Sequence, residues 1–427
     1  MNNARVLRSF VEVRAGEARL LWLSFLSHFL VLASYYVIRP IRDEMAVAGG
    51  VENLPWMFTA TLAAMLVANA LFSALVARFS RRRFIPLAYR FFLGNLLLFF
   101  VLLRFLPTAN AQLWVGRVFY VWTNVFNLFV VSVFWAFVTD VFDPRQARRL
   151  FGFISVGGTL GAIAGAATTA TLVSRTGTLP LLLIAAALLE LSVRCVQAFP
   201  NVTSTPVAGH VRTAAAEAPV GGGVWSGIAH DLRSPYLLGI AGYVLLYSVT
   251  STVLYVQQAE LAAKHFADPA ARTAFFAQLD FAVNVVTIFG QVFLAGRALE
   301  KLGVGPTLAL LPAFSVVGFA TFGCAPTLAV FVGFQAVRRA ANFALARPAR
   351  EVLFTVLSRE DKYKARSFLD TFIYRAGDGL GAWSFPALGG GFGLGMAGMA
   401  WVAVPLALVW CALSVWLGRE QNARQIS

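Results

Sequence analysis

The chain has 427 residues, of which 59% are hydrophobic and only 13% charged, with a net charge of +15. Soluble domains carry about twice that charged fraction, so a soluble globular protein is excluded and a polytopic membrane protein is implied. The excess of Arg and Lys is read as topological, basic residues being held in cytoplasmic loops, ahead of a nucleic-acid or lipid-headgroup patch.

Arg5, Arg8, Arg14 and Arg19 lead into a first span too long for a signal-peptide core, which reads as a retained helix. Crossing a bilayer takes roughly 20 mostly apolar residues. Such stretches occur at 20–41, 56–77, 85–106, 112–138, 151–173, 179–198, 236–256, 275–295, 306–323, 327–346, 368–388 and 399–417. The fold class is therefore an all-α membrane protein of about twelve transmembrane helices. The longest polar interval, 199–235, contains TSTPVAGHVRTAAAEAPVGGG and reads as a linker between two six-helix halves, 1–198 and 236–418, with a tail at 419–427. Basic loops at 78–83, 145–149, 297–301 and 359–366 contrast with 43–55, which carries Asp43, Glu44 and Glu52 and no Lys or Arg. That asymmetry places both termini and the linker in the cytoplasm, with the chain in a bacterial inner membrane.

The halves echo each other. DPRQAR at 143–148 matches DKYKAR at 361–366, LGA at 160–162 matches LGA at 380–382, and Asn124 falls opposite Asn342, at offsets of 218 to 220 residues. A shared offset marks an internal repeat. Two parallel six-helix repeats joined by a cytoplasmic linker resemble the plan of the major facilitator superfamily, whose halves rock about a site near the midplane. In the fifth span Gly157, Gly161 and Gly165 have the spacing that lets another backbone approach. The glycine run 389–393 cannot hold a regular span and reads as a turn.

Polar groups inside the spans carry the functional signal, because a charged residue at mid-bilayer costs roughly 2.5–3.5 kcal/mol and usually faces a cavity. Tyr35, Arg39 and Arg42 share one helix face. Pro40 removes a backbone donor beside them and predicts irregular backbone there. This face reads as a cationic wall for an anionic solute; the alternative is arginines that reach the headgroups and pair with Asp43 or Glu44. Arg338 and Arg339 lie about 17 Å into the tenth span, with Asn342, Arg347, Arg350 and Glu351 following. Spans four and eight add Asn124 and Asn284 as orienting groups, and Asp280, beside Asn284 and Gln291, is a candidate coupling acid. Arg375 and Asp378 in the eleventh span read either as a gating pair or as a local i,i+3 pair, with Asp370 as another acid nearby. Glu190 and Arg194 read as a local pair.

Enzymatic motifs are missing: no phosphate-binding glycine loop, no HExxH and no nucleophile elbow. His28, His210, His230 and His265 are scattered, and Cys195, Cys324 and Cys411 lie apart in apolar runs, so no metal or other cofactor is expected.

YYVIRPIRDEM (35–45), VFWAFVTDVFDPRQARRLFGFISVGGTLGAIAG (133–165), ARPAREVLFTVL (346–357) and DKYKARSFLDTFIYRAGDGLG (361–381) together resemble segments of the ATP/ADP translocases, nucleotide transporters of intracellular bacteria and plastids. The resemblance implies that Arg39, Arg42 (a lysine in the family) and Asp43 match its first-helix signature. It also sets Pro348, Arg350 and Glu351 on its Pro-Lys-Glu segment, and Lys362, Lys364, Arg366 and Arg375 on basic positions. Two departures stand out: 113–138 and 236–256 contain no Asp or Glu where nucleotide exchangers use acids, and Asp378 replaces a lysine.

The expected function is secondary active transport of an anionic solute by alternating access, with Tyr35, Arg39, Arg42, Asn124, Asn284, Arg338, Asn342, Arg350, Lys364 and Arg366 as contacts. Asp280, Glu351, Arg375 and Asp378 are the coupling or gating groups. The partners are a small anion, nucleotide or other, and the lipid bilayer, without nucleic acid, in a monomer. Competing readings are proton-coupled transport of another organic or phosphorylated anion, and a non-transporting scaffold or sensor. A thermal-shift screen against nucleotides and phosphorylated metabolites tests the cationic contacts. Arg42→Ala and Arg338→Ala should each reduce the shift given by the best ligand, and two unchanged shifts would overturn the assignment.

Overall fold

A computed structural model describes residues 17–78, 81–199, 234–357 and 368–426. The described residues form helices and turns, with twelve helical rods in chain order. The first six are α1 (Glu17–Ala48), α2 (Leu54–Arg78), α3 (Arg81–Phe105), α4 (Ala109–Val141), α5 (Pro144–Thr176) and α6 (Leu179–Gln197). The second six are α7 (Pro235–His265), α8 (Pro269–Leu302), α9 (Val304–Cys324), α10 (Leu328–Leu353), α11 (Leu369–Gly391) and α12 (Met396–Ile426). Ten of these contain a stretch long and apolar enough to cross a membrane. The other two, α10 and α11, are the ones in which Arg338, Arg339, Arg375 and Asp378 interrupt the apolar run.

Local signals set the helix ends. Thr108 caps α4 by accepting from the Ala111 N–H, and Thr327 caps α10 by accepting from the Val330 N–H. The two threonines are one repeat apart. α1 ends at Gly49 and Gly50, the latter at φ 88°, a backbone state that glycine enters without cost. α1 extends seven residues beyond its expected end at 41 and runs helically through Pro40, so irregular backbone does not arise there. Irregularity falls in α8, α10 and α11 instead, as π turns at Gln291–Ala295, Asn342–Ala346, Leu369–Ile373 and Ala387–Gly391. In α10 the cause is legible. Pro348 has no N–H to give the Ala344 carbonyl, and the Arg347 N–H reaches back five residues to Asn342. The glycine run at 389–393 does stop regular helix, which gives way after Pro386. α12 continues to Ile426, so most of the expected tail is helical. The linker from 200 to 233, Lys364 and Arg366 lie outside the described residues.

Two compact units form: the described part of Met1–Phe199 together with Val256–Ile288, and that of Pro200–Tyr255 together with Phe289–Ser427. In the first, α1 packs on α4, α5 and α6, while α3 packs on α4 and α6. In the second, α9 packs on α10 and α12, which repeats the α3 contacts six helices later. Large apolar side chains such as Val67, Phe91, Phe105, Val317 and Val409 stay exposed, as lipid-facing surfaces require.

One close backbone approach occurs twice. A Cβ on Gly161 would lie 2.1 Å from the Phe29 carbonyl oxygen, and one on Gly157 would lie 2.7 Å from that of Phe25. In the second unit a Cβ on Gly381 would lie 2.7 Å from the Val249 carbonyl oxygen, and one on Gly377 would lie 3.1 Å from that of Leu245. Each of these four residues of the second unit stands 220 positions after its counterpart. The sequence repeat is thus a packing repeat, α1 against α5 and α7 against α11, with glycines admitting the neighbouring backbone. One polar link follows it too: His28 Nδ1 bonds the Ile154 carbonyl, and Ser248 Oγ donates to the Tyr374 carbonyl, again 220 positions on.

Gly161→Leu should destabilise the protein by about 1–3 kcal/mol or more, since neither backbone can give way. Gly152→Ala, with open space around its Cα, should be neutral or stabilising. Thermal melting of the purified variants checks this, and equal melting temperatures would remove the close contact as a determinant.

Candidate functional site

Within the first unit, the arginines of the 34–45 stretch are paired with acids. Arg42 Nε donates to Asp43 Oδ1 at 2.9 Å, and Arg42 Nη1 donates to Asn124 Oδ1 at 3.1 Å. The guanidinium also lies 5.4 Å from the Tyr120 ring centroid. Arg39 Nη1 lies 3.3 Å from Asp280 Oδ1, and the guanidinium sits over Tyr36. Arg272 Nη2 donates to Glu44 Oε1 at 2.8 Å. Three arginines are thus matched by three carboxylates. Tyr35 is buried against Tyr36, and Asn284 donates to the Asp280 carbonyl at 2.8 Å. The expected open cationic wall is a neutralised cluster: α1 contributes both charges of the Arg42–Asp43 pair, and α8 supplies Asp280 and Arg272. Two carboxylates one and two residues after Arg42 made such pairing available, which is the alternative the sequence left open. Arg272 was not picked out as a site residue, because only tertiary packing brings it to Glu44.

The second unit holds a differently compensated charge. Arg338 is 2% exposed and forms no ion pair among the described residues. Its Nε donates to Ser315 Oγ at 3.0 Å, Nη1 to Ser251 Oγ at 3.1 Å and Nη2 to Thr250 Oγ1 at 2.8 Å. The rings of Tyr247 and Trp410 flank it, with centroids 5.6 and 5.9 Å away. One turn on, where α10 opens into its π turn, Asn342 donates to the Tyr247 hydroxyl at 2.9 Å. Tyr247 also packs against Tyr374 and Trp410. Arg339 is half-buried, so the adjacent arginines take different environments.

Hydroxyls and ring faces solvate a guanidinium only in part, since they carry partial rather than full negative charge. An anion brought to this site would complete the compensation. Ser251, half-buried, marks the more accessible edge. Tyr247, Thr250, Ser251, Ser315 and Trp410 were not singled out from sequence. The available signal was SVTST at 248–252, a run of hydroxyls inside an apolar span.

Next to this group, Asp378 accepts from Ser248 at 2.6 Å, from Thr252 at 3.1 Å and from Arg375 Nη1 at 3.0 Å. The Arg375–Asp378 pair is therefore local to α11, as its spacing allowed, and it is supported by hydroxyls of α7 in the same unit. Arg350 and Glu351 lie half-buried on α10, Arg350 within electrostatic reach of Tyr243 and Tyr374. Glu190 pairs with Arg194 and also with Arg90, both at the surface. Lys364 and Arg366, and the side chain of Asp370, fall outside the described residues. No group of three or more His, Cys, Asp or Glu that could hold a metal ion occurs among the described residues.

No protein-family model matches the chain. It is similar to ADP,ATP carrier protein 1 of Chlamydia muridarum, with 24% identity over 88% of this chain and 83% of that protein. The fold matches those of the nucleoside transporter NupG (TM-score 0.56, 14% identity, 96% of this chain and 99% of that one) and a D-xylose–proton symporter (TM-score 0.63, 14% identity, 92% and 96%). The fold is that of the major facilitator transporters, in two six-helix repeats, and the chain is a multi-pass membrane protein resembling the ATP/ADP translocases.

The Arg39–Asp280 pair has a measurable signature. Arg39→Met or Asp280→Leu alone breaks a largely buried ion pair and should cost about 3 kcal/mol, while the double variant should recover part of that loss. Additive losses in thermal melts would show that the two side chains are not coupled.

Proposed function

We propose that this chain is a secondary active transporter that moves an anionic solute by alternating access, and that the solute is a nucleotide. The observation that carries the reading is Arg338, a buried guanidinium held by three hydroxyls and two aromatic faces with no carboxylate partner among the described residues. A phosphate or carboxylate group supplies the missing charge. The rings of Tyr247, Tyr374 and Trp410 suit a flat aromatic base beside it. Likeness to an ADP,ATP carrier over most of both chains supports exchange of one nucleotide for another.

In this proposal Arg338 and Asn342 contact the solute, and Arg350, Lys364 and Arg366 add positive charge along its route. Arg39 and Arg42 act when their acids are released, so their pairing belongs to one stage of the cycle. Asn124 and Asn284 keep those groups oriented. Glu351, Arg375 and Asp378 couple or gate within the second repeat. Because Arg338 is nearly inaccessible, solute entry requires α7, α9 or α10 to shift, and the π turn beside Asn342 is the place where α10 can adjust. The chain works as a monomer in a bacterial inner membrane, with both termini and the 199–235 linker in the cytoplasm, as the basic loops suggest.

A second reading, proton-coupled uptake of another organic or phosphorylated anion, is favoured by one observation. Asp280 is a buried carboxylate salt-bridged to an arginine, and protonation would break that pair. The acid-free stretches at 113–138 and 236–256 agree with it, although α4 and α7 themselves extend to include Asp140 and Glu260.

Reconstituted vesicles separate the two. Labelled ATP uptake should depend on internal ADP and fall at least tenfold in Arg338→Ala, with Arg338→Lys intermediate because it keeps the charge and loses the fork. Uptake driven by a proton gradient without internal nucleotide would overturn exchange. Unchanged transport and ligand-induced melting shifts in Arg338→Ala would remove that residue from the solute site.

A further inference from the structure

In the first unit an open groove of about 720 Å³ runs between α2 and α4. Ala60 and Ala64, one turn apart on α2, form a trough against valines of α4. One end is polar: Asn53 and Arg117 lie there, beside Trp56 and Trp114, which are 64% and 57% exposed. Arg117 Nη2 donates to the Gly49 carbonyl at 3.1 Å, and its guanidinium lies 4.7 Å from the Trp114 ring. Its Nε is buried without a hydrogen-bond partner, and Arg117 forms no ion pair among the described residues. Asn53 donates to the same Gly49 carbonyl at 2.9 Å and to Glu52, an exposed carboxylate, at 3.3 Å.

Depth specifies the occupant. α4 has 33 residues, so it is about 50 Å long against a hydrocarbon core of about 30 Å, leaving about 10 Å beyond the core at each end. Arg117 lies about 12 Å from the start of α4, at the boundary between headgroups and acyl chains. Tryptophans favour that level, and a cation there meets phosphate. The trough continues from this point into the apolar layer. A soluble anion would leave it empty, whereas a lipid fills both parts.

We propose that the α2–α4 groove binds one phospholipid with an anionic headgroup, its phosphate on Arg117 and Asn53 and an acyl chain along Ala60 and Ala64. This site is independent of the solute site at Arg338.

The test uses the purified full-length protein in phosphatidylcholine bicelles, with brominated-chain phosphatidylglycerol or brominated-chain phosphatidylcholine as quencher of tryptophan fluorescence. Phosphatidylglycerol should quench at a several-fold lower mole fraction than phosphatidylcholine. Arg117→Gln should abolish that difference and Arg117→Lys should keep it. Ala64→Phe, which fills the trough, should lower quenching by both lipids. Inorganic phosphate at millimolar concentration should not compete; full competition would make the ligand a soluble anion and overturn the lipid assignment. Equal quenching by the two lipids in the unmodified protein, or a headgroup preference that survives Arg117→Gln, would also overturn it. Circular dichroism verifies folding of each variant, and if Arg117→Gln does not fold, Arg117→Lys and Ala64→Phe decide the outcome.

Discussion

A charge placed among apolar helices must be compensated inside the protein, because the hydrocarbon around it offers neither water nor counter-ions. This molecule meets the requirement in two ways. In the first unit Arg39, Arg42 and Arg272 face Asp280, Asp43 and Glu44. In the second unit Arg338 is held by Ser315, Ser251, Thr250 and two aromatic faces. The first arrangement is closed and neutral. The second keeps a full positive charge against partial negative ones, so it has electrostatic work left for an anion to do. The proposed solute site therefore lies in the second repeat.

The frame that holds these charges is the repeated glycine contact. Backbone approach of α5 to α1 and of α11 to α7 follows one offset of 220 residues, and the carbonyls of Ile154 and Tyr374 receive equivalent polar contacts. Within that frame the side chains diverge. His28 lies against Gly158 in the first unit, while Ser248 donates to Asp378, the position 220 residues after Gly158, in the second. An imidazole ring above a glycine has been exchanged for a hydroxyl bound to a carboxylate. Duplicated backbone geometry with unlike polar groups is how a pseudo-symmetric scaffold acquires an asymmetric site.

The candidate site was partly legible. Arg338 stood out because two arginines deep in an apolar span are hard to explain by snorkelling, and Asn342 followed it at helical spacing. Its hydroxyl partners were not singled out, since Ser and Thr in membrane helices usually bond their own backbone, as Thr287 and Ser315 do. The 34–45 stretch departs from its sequence-based expectation in two physical respects. Pro40 did not break α1, because a proline within a long packed helix can be carried by its neighbours. Its arginines also lie inside a helix that continues to Ala48, where packing, not access to headgroups, selects their partners.

The membrane class, the twelve helices, the two-fold repeat and the glycines of the fifth helix that admit a neighbouring backbone are legible along the chain, because each follows from local composition or from a fixed spacing. Packing alone selects the long-range partners among the charges. Arg39 lies 241 positions from Asp280 and Arg272 lies 228 from Glu44, and no local pattern ties residues so far apart. Whether a buried arginine meets a carboxylate or a hydroxyl depends on which helix faces it, and that is a property of packing rather than of sequence spacing.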